Sequence, residues 1–195
     1  MNIKVSVIIP AHDSPELLKR ALDSIPFDED LETIVVDDCS GNDYSFIHEY
    51  PVRYYKLDKN RGANYARNFA IDHSIGEYIY GMDDDDYLYT DEFRKAIREL
   101  DGTDFVFVDC RVNSGDTWEL NENSKYVLWA YWTKFTRREF IGDLKAPLNV
   151  KYAGDMIFFE ELFKRPHTEK FTHIVAYHYN HPRVGSMLWE RDHGS

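Results

Sequence analysis

The sequence predicts an α/β domain in which helices cover a mainly parallel β-sheet, and three observations carry that expectation. Short apolar runs rich in β-branched and aromatic residues alternate with amphipathic stretches through the first 110 residues. The spacings suit strand, crossover helix, strand. Polar clusters repeatedly follow the ends of the strand-like runs, as at His12, Asp37, Asn60 and Asp83.

The first strand, Lys4 to Ile9, is too short to cross a bilayer and is closed by Pro10, His12 and Asp13. Ser14 and Pro15 then open a helix to Ile25 with Leu17, Leu18, Ala21, Leu22 and Ile25 on one face. Further strands are expected over Glu32 to Val36, Val52 to Leu57, Glu77 to Met82 and Asp104 to Asp109, with helices over Gly62 to His73 and Thr90 to Leu100. The polar stretch Arg111 to Ser124, with Asn113, Ser114, Gly115, Asp116 and Asn121, reads as a loop or hairpin. It divides a front part, 1–110, from a back part, 111–195, that completes the same domain. That second part is aromatic at Tyr126, Trp129, Tyr131 and Trp132, then offers a helix from Gly154 to Arg165 and a strand from Phe171 to Tyr179.

Composition narrows the classes. At 195 residues and 43% hydrophobic, the chain is globular, and such a length hides roughly 70% of its unfolded surface without cross-links or a structural metal. Cys39 and Cys110 form no CxxC pair, so a disulfide framework is not expected and a reducing cytoplasm is the simplest setting. No transmembrane segment is expected. The net charge of -12 argues against a general nucleic-acid coat protein. It is unevenly spread: residues 1–124 hold 12 Lys and Arg against 27 Asp and Glu, and residues 125–195 hold 11 against 8. The pattern suggests a cation-binding front and a back that meets something anionic.

Ligands of open parallel sheets bind outside the carboxyl ends of the strands, so four strands delivering polar groups to one edge predict a nucleotide-sized cleft. Asp83, Asp84, Asp85 and Asp86 form the densest cluster. Their mutual repulsion would raise some of their pKa values unless a cation is present, and an all-oxygen set suits Mg²⁺ or Mn²⁺. If the backbone there is extended, Asp83 and Asp85 share one side and Asp84 and Asp86 the other.

The blocks VSVIIPAHDSPELLKRALDSI, IVVDDCSGND, NRGANYARN and GEYIYGMDDDDYLY, in that order, resemble those of family 2 glycosyltransferases with the GT-A fold. A weaker resemblance continues through WTKFTRREF, GDMIFFEELFKR and YHYNHPRVGS. It implies that Pro10, Ala11, His12, Asp13 and Asp38 meet the nucleobase of a sugar nucleotide, with Arg67 close to the nucleotide. The aspartates would be the DXD element, Asp85 ligating the metal and Asp83 or Asp84 contacting the ribose or a metal-bound water, with the register open. Asp155 resembles the catalytic base of the ED motif, although Gly154 stands where the family has Glu. The competing reading is that Asp155 caps the helix behind it. His181 is a further candidate metal or diphosphate ligand. Lys134, Arg137, Arg138 and Arg183 are candidates for contacting phosphates, and Trp129, Trp132 and Trp189 for stacking on a ring.

The resemblance implies an inverting transfer from a nucleotide-diphosphate sugar, UDP-linked by preference, to a glycan or glycoconjugate hydroxyl, with Mn²⁺ or Mg²⁺. A hydroxylated DNA base is an alternative acceptor that the basic back half leaves open. A magnesium-dependent phosphate-ester hydrolase and a non-catalytic sugar-nucleotide or cation-binding module are the rivals from other classes.

Overall fold

A computed structural model describes residues 3–124, 128–150 and 153–181. Tyr126, Arg183, Trp189 and the end of the YHYNHPRVGS block lie outside the described residues.

Strand β1 (Val5–Ala11) is buried along its whole length. It pairs in parallel with β2 (Leu31–Asp37) on one side and β4 (Tyr78–Gly81) on the other, while β3 (Arg53–Lys56) extends the parallel set beyond β2. The register aligns Ala11 with Asp37 and Asp37 with Lys56, and Ile8 with Gly81, so all four strands end at one edge. The period of two sends alternate β1 side chains to opposite faces. Val5, Val7 and Ile9 pack with Leu18, Ala21 and Leu22 of helix α1 (Pro15–Asp23) and with Phe93 and Ala96 of α3 (Thr90–Arg98). Ile8 joins Ala66, Ala70 and Ile71 of α2 (Ala63–His73) and Phe158, Phe159 and Leu162 of α5 (Gly154–Phe163). Two apolar layers thus sandwich the sheet, as expected for a helix-covered parallel sheet.

The second half of the sheet departs from the simple alternation. Strand β6 (Phe105–Val112) does not lie beside β4. The four-residue strand β8 (Lys134–Arg137), which the pattern of the sequence did not announce, runs between them and is antiparallel to both. Its Phe135 is fully buried. Strand β6 extends into the stretch read as a loop or hairpin and turns back through β7 (Thr117–Trp118), so of the two it is the hairpin. Strand β9 (Glu169–Tyr179) runs parallel to β6 and carries the two-residue β5 (Tyr87–Leu88) on its far side. The short helix α4 (Arg138–Ile141) follows β8 directly. Strands β6 and β9 therefore point the same way as β1 to β4, and the end of β9 arrives beside the residues that follow β4.

Candidate active site

The four aspartates form a turn, so the alternation of sides that an extended backbone would give does not apply. The Asp86 N–H donates to the Asp83 carbonyl at 3.3 Å, closing a four-residue turn of the common hydrogen-bonded type. The turn redistributes the side chains. One carboxylate oxygen each from Asp83, Asp85 and Asp86 lies within 4.8 Å of the others. Asp84 points the other way and accepts from the His12 N–H at 3.2 Å and from the Ser14 hydroxyl. Burial pushes Asp84 up to about 7 against those two hydrogen bonds, and the Asp85 and Asp83 charges add repulsion. Asp86 is fully buried and is also held well above the ordinary carboxylate range, by burial first and then by Asp83 and Asp85. Such a cluster gains from a bound cation, which favours the ionised forms that repulsion and burial oppose. Its all-oxygen donor set fits a hard divalent ion.

Strand β9 anchors this turn. The Tyr177 hydroxyl donates to Asp86 at 2.5 Å, and the Asn180 N–H donates to its other oxygen at 2.7 Å. Arg20 and the Asn180 side chain both donate to the Asp85 carbonyl, at 2.5 and 3.1 Å. The sequence placed Asp86 in the acidic cluster without giving it a ligand role; the turn is what brings it beside Asp83 and Asp85.

The neighbouring strand ends build a connected rim. Pro10 and Ala11 are buried in β1, and the Ala11 carbonyl accepts from the Asp38 N–H at 2.8 Å. The exposed His12 ring lies 3.1 Å from the Asn60 side chain, and Asp13 accepts from the Gly41 N–H at 2.8 Å. Asp38 is 3% exposed, and its two oxygens accept the Arg61 and Gly62 N–H groups at 2.7 and 2.6 Å. Its first task is therefore to fix the 60–62 loop at the end of β2. Beside it, burial alone would raise Asp37, but hydrogen bonds from Ser40 and Tyr54 and the Lys56 charge hold it below the ordinary value.

Arg67 links this rim to the second half of the chain. Its guanidinium donates to Asp83 at 2.6 Å and lies 5.1 Å from the centroid of the Tyr131 ring. Burial would lower its pKa, yet the Asp83 and Asp155 charges and the hydrogen bond to Asp83 hold it raised. Asp155 stands in the first turn of α5, with one oxygen accepting the Met156 N–H at 2.8 Å. The residue at the helix cap is Ala153, in a left-handed conformation at φ 60°, so Asp155 assists the helix start without being its cap. The missing Glu of the ED pattern also has a local reason. A Cβ on Gly154 would lie 1.9 Å from the Asn64 side-chain nitrogen and 2.6 Å from its Cγ. Asn64 fills that space while donating to the Pro147 carbonyl at 2.9 Å.

Other candidate residues are placed elsewhere. The His181 ring stacks on Tyr179 at 5.1 Å and is not among the groups that gather with Asp83, Asp85 and Asp86. Lys134 is fully buried and cannot reach a phosphate: its ammonium donates to the Leu128 and Ala130 carbonyls at 2.5 and 2.8 Å and sits 3.5 Å from the Phe159 ring centroid. Because β8 runs antiparallel, Arg137 and Arg138 emerge at the opposite edge, where Arg137 pairs with Asp104 at 2.7 Å and Arg138 donates to the Gly76 carbonyl at 2.7 Å. Trp132 is 6% exposed and stacked on Tyr177, which makes it core.

This geometry defines a GT-A type sheet edge, and comparison with known proteins places the chain further. Residues 6–165 match the profile of "Glycosyl transferase family 2", and the chain belongs to that family. It is 34% identical over 103 residues to succinoglycan biosynthesis protein ExoO of Rhizobium meliloti, covering 50% of this chain and 30% of that protein. It is 24% identical over 213 residues to the poly(ribitol-phosphate) β-N-acetylglucosaminyltransferase TarS of Staphylococcus aureus, covering 95% of this chain and 37% of TarS. The chain spans about a third of the length of these curated relatives. The crystal structure of S. aureus TarS in complex with UDP-GlcNAc superposes with a TM-score of 0.78 at 21% identity, over 94% of this chain and 60% of that one. Mannosyltransferase PcManGT from Pyrobaculum calidifontis, in complex with GDP-Man and Mn²⁺, does so at 0.73 and 20% identity, over 97% and 60%. The fold is that of the GT-A glycosyltransferases. Among the described residues no helix is long and apolar enough to cross a membrane.

Proposed function

We propose that this chain is a metal-dependent, inverting glycosyltransferase that moves a sugar from a nucleotide-diphosphate donor, UDP-linked by preference, to a hydroxyl of a glycan or glycoconjugate. The observation that carries this reading is the gathered aspartate turn, with Arg67 bonded to Asp83 and lying over the Tyr131 ring, which in turn stacks on Phe158 of the helix whose first turn holds Asp155. These contacts support reading the turn as a charge-gathering site and Asp155 as the base that works beside it. The UDP-GlcNAc bound to TarS supports the choice of donor, and the Mn²⁺ bound to PcManGT supports the choice of metal.

In this reading Asp83, Asp85 and Asp86 would hold Mn²⁺ or Mg²⁺, which when bound offsets the charge of the departing diphosphate. Asp84 keeps the His12–Ser14 turn against the metal turn, and Asp13 and Asp38 with the 60–62 loop form the base side of the cleft. The free oxygen of Asp155 takes the proton of the acceptor hydroxyl as that oxygen bonds to the anomeric carbon. The bond from that carbon to the diphosphate oxygen breaks, the nucleotide leaves with the electron pair, and the configuration inverts. Arg67 holds Asp83 in place and keeps positive charge beside the leaving group. The named relatives lend no support to a DNA acceptor, and Cys39 and Cys110, both free thiols, suit a reducing cytoplasm.

The test is a panel of sugar nucleotides with and without Mn²⁺ or Mg²⁺, read as release of nucleoside diphosphate. Turnover should need the metal, Asp85→Ala should lose metal-dependent donor binding, and Asp155→Asn should bind donor without turning it over. An unchanged rate in Asp155→Asn, or no metal-dependent binding across the panel, would refute the reading.

A further inference from the structure

Four side chains outside the carboxylate cluster connect end to end and finish on the aspartate turn. The Tyr89 hydroxyl lies 3.0 Å from the His178 Nδ1, and the His178 Nε2 lies 3.0 Å from the Asn113 side-chain oxygen. Asn113 donates from its Nδ2 to the Asn180 side-chain oxygen at 2.9 Å, and Asn180 donates from its own Nδ2 to the Asp85 carbonyl at 3.1 Å. Tyr89 follows β5, Asn113 follows β6, and His178 and Asn180 belong to the end of β9 and the residue after it, so the chain of bonds ties three strand ends together.

The last acceptor sets the direction of every bond before it. A main-chain carbonyl only accepts, so Asn180 must present its NH₂ group to Asp85 and its oxygen to Asn113. Asn113 must then turn its own oxygen to His178. The ring therefore carries its proton on Nε2, and Tyr89 is the donor to Nδ1. Burial first, and then the Arg20 and Arg111 charges, lower the His178 pKa, in keeping with a neutral ring. The main chain holds both amides in place: the Asn113 N–H donates to the His181 carbonyl at 3.3 Å, and the Asn180 N–H donates to Asp86 at 2.7 Å. A second route reaches the same atom. The His178 ring stacks on Tyr87 at 4.2 Å, Arg20 lies 5.3 Å from the Tyr87 ring centroid, and that guanidinium donates to the Asp85 carbonyl at 2.5 Å.

We propose that His178 is a positioning residue of the metal turn, ordering Asn113 and Asn180 so that the Asp85 main chain is held in place for cation binding. The inference rests on the glycosyltransferase reading above and adds to it a ring and an amide, His178 and Asn113, to which that reading gives no role.

Nitrogen-15 NMR of the metal-free chain reads the ring directly, the His178 signals being those lost in His178→Phe. The expected wild-type pattern is a neutral ring protonated on Nε2. Asn180→Ala frees the Asn113 amide to turn over, so the His178 tautomers should mix, although the ring's own hydrogen bonds are to Tyr89 and Asn113. Calorimetry then measures binding of UDP-GlcNAc, or whichever panel donor the wild type turns over, with Mn²⁺. His178→Phe keeps the stack on Tyr87, removes both ring nitrogens and should weaken Mn²⁺-dependent donor binding roughly fivefold. His178→Gln returns a donor toward Asn113 and should recover most of that loss. A wild-type ring protonated on Nδ1, or one indifferent to Asn180→Ala, would overturn the proposal. So would equal donor affinity in wild type and His178→Phe, or a matched fall in affinity and urea midpoint in both variants, the mark of a role in folding alone. If the wild type binds none of the panel with Mn²⁺, the functional reading itself has failed and the proposal falls with it. If it binds while the ring ignores Asn180→Ala, the proposal alone fails.

Discussion

Replacing Gly154 by Ala tests how Asn64 and the start of α5 share one space. In an exposed helix interior, Gly to Ala is worth up to about 1 kcal/mol of added stability, and less in a first turn. Here the added Cβ would sit 1.9 Å from the Asn64 Nδ2 and within 2.7 Å of the other two end atoms of that side chain. No real contact is that short, so Asn64 must swing away. It then loses its hydrogen bond to the Pro147 carbonyl, 2.9 Å in the native arrangement. A neutral hydrogen bond contributes about 1 kcal/mol net, and a partner left buried and unpaired costs about 1–3 kcal/mol. The loss exceeds the propensity gain, and the net expectation is destabilisation by roughly 1–2 kcal/mol.

Urea unfolding monitored by circular dichroism measures this directly. A midpoint equal to or above wild type at unchanged slope would refute the reasoning. The double variant with Asn64→Ala sharpens the test. Removing the amide first should make Gly154→Ala cheaper by about 1 kcal/mol or more, a coupling that independent sites would not show. Because Gly154 directly precedes Asp155, Gly154→Ala should also lower turnover more than donor affinity.

Other outcomes follow from single environments. Lys134→Met removes the donor to the Leu128 and Ala130 carbonyls and should cost about 2 kcal/mol or more in urea unfolding. An unchanged midpoint would mean that water satisfies those carbonyls. Ala153→Gly relieves a left-handed alanine at φ 60° and should stabilise by up to about 1 kcal/mol, partly offset by greater freedom in the unfolded chain. A destabilised Ala153→Gly would disprove that strain. Burial opposes ionisation of Asp104, but hydrogen bonds from Thr168 and the Arg137 charge hold its pKa below the ordinary value. The unfolded chain therefore binds the proton first, and the stability from this group is present above about pH 4 and lost as the pH falls through the folded value. The acid limb of a midpoint-against-pH curve should flatten in Asp104→Asn, and an unaltered slope would contradict it.

The first parallel strands were legible because period and burial agree in them. Val5 to Ile9 is apolar apart from Ser6, whose buried hydroxyl donates to Glu32, since both faces are covered, and its end at Pro10 and His12 announced where ligands gather. Strand β8 was not legible, and the reason is physical. Its sequence, Lys-Phe-Thr-Arg, carries charges at both ends. The lysine nitrogen donates inside a cage of carbonyls and aromatic rings, where burial pushes its pKa well below the ordinary value, and the arginine pairs with Asp104 at the far edge. Composition reads such a segment as surface, since lysine is seldom buried, and only the cage reveals otherwise. The same misreading made Lys134, Arg137 and Arg138 look like phosphate contacts.

The aspartate block shows the opposite limit. Its chemistry was plain, but its shape was not, because four like side chains leave both the register and the backbone open. Closing the turn through the Asp86 N–H turns Asp84 away toward His12 and Ser14 and brings Asp86 in beside Asp83 and Asp85. The closure depends on residues about 90 positions away, Tyr177 and Asn180, whose hydrogen bonds seize Asp86. The identity of the third carboxylate is thus a tertiary property, decided by where β9 ends. That same strand end lies beyond the stretch where the sequence blocks are strongest. A variant that leaves all four aspartates intact but removes the anchor, such as Tyr177→Phe, should therefore weaken Mn²⁺-dependent donor binding while the DXD pattern itself is untouched.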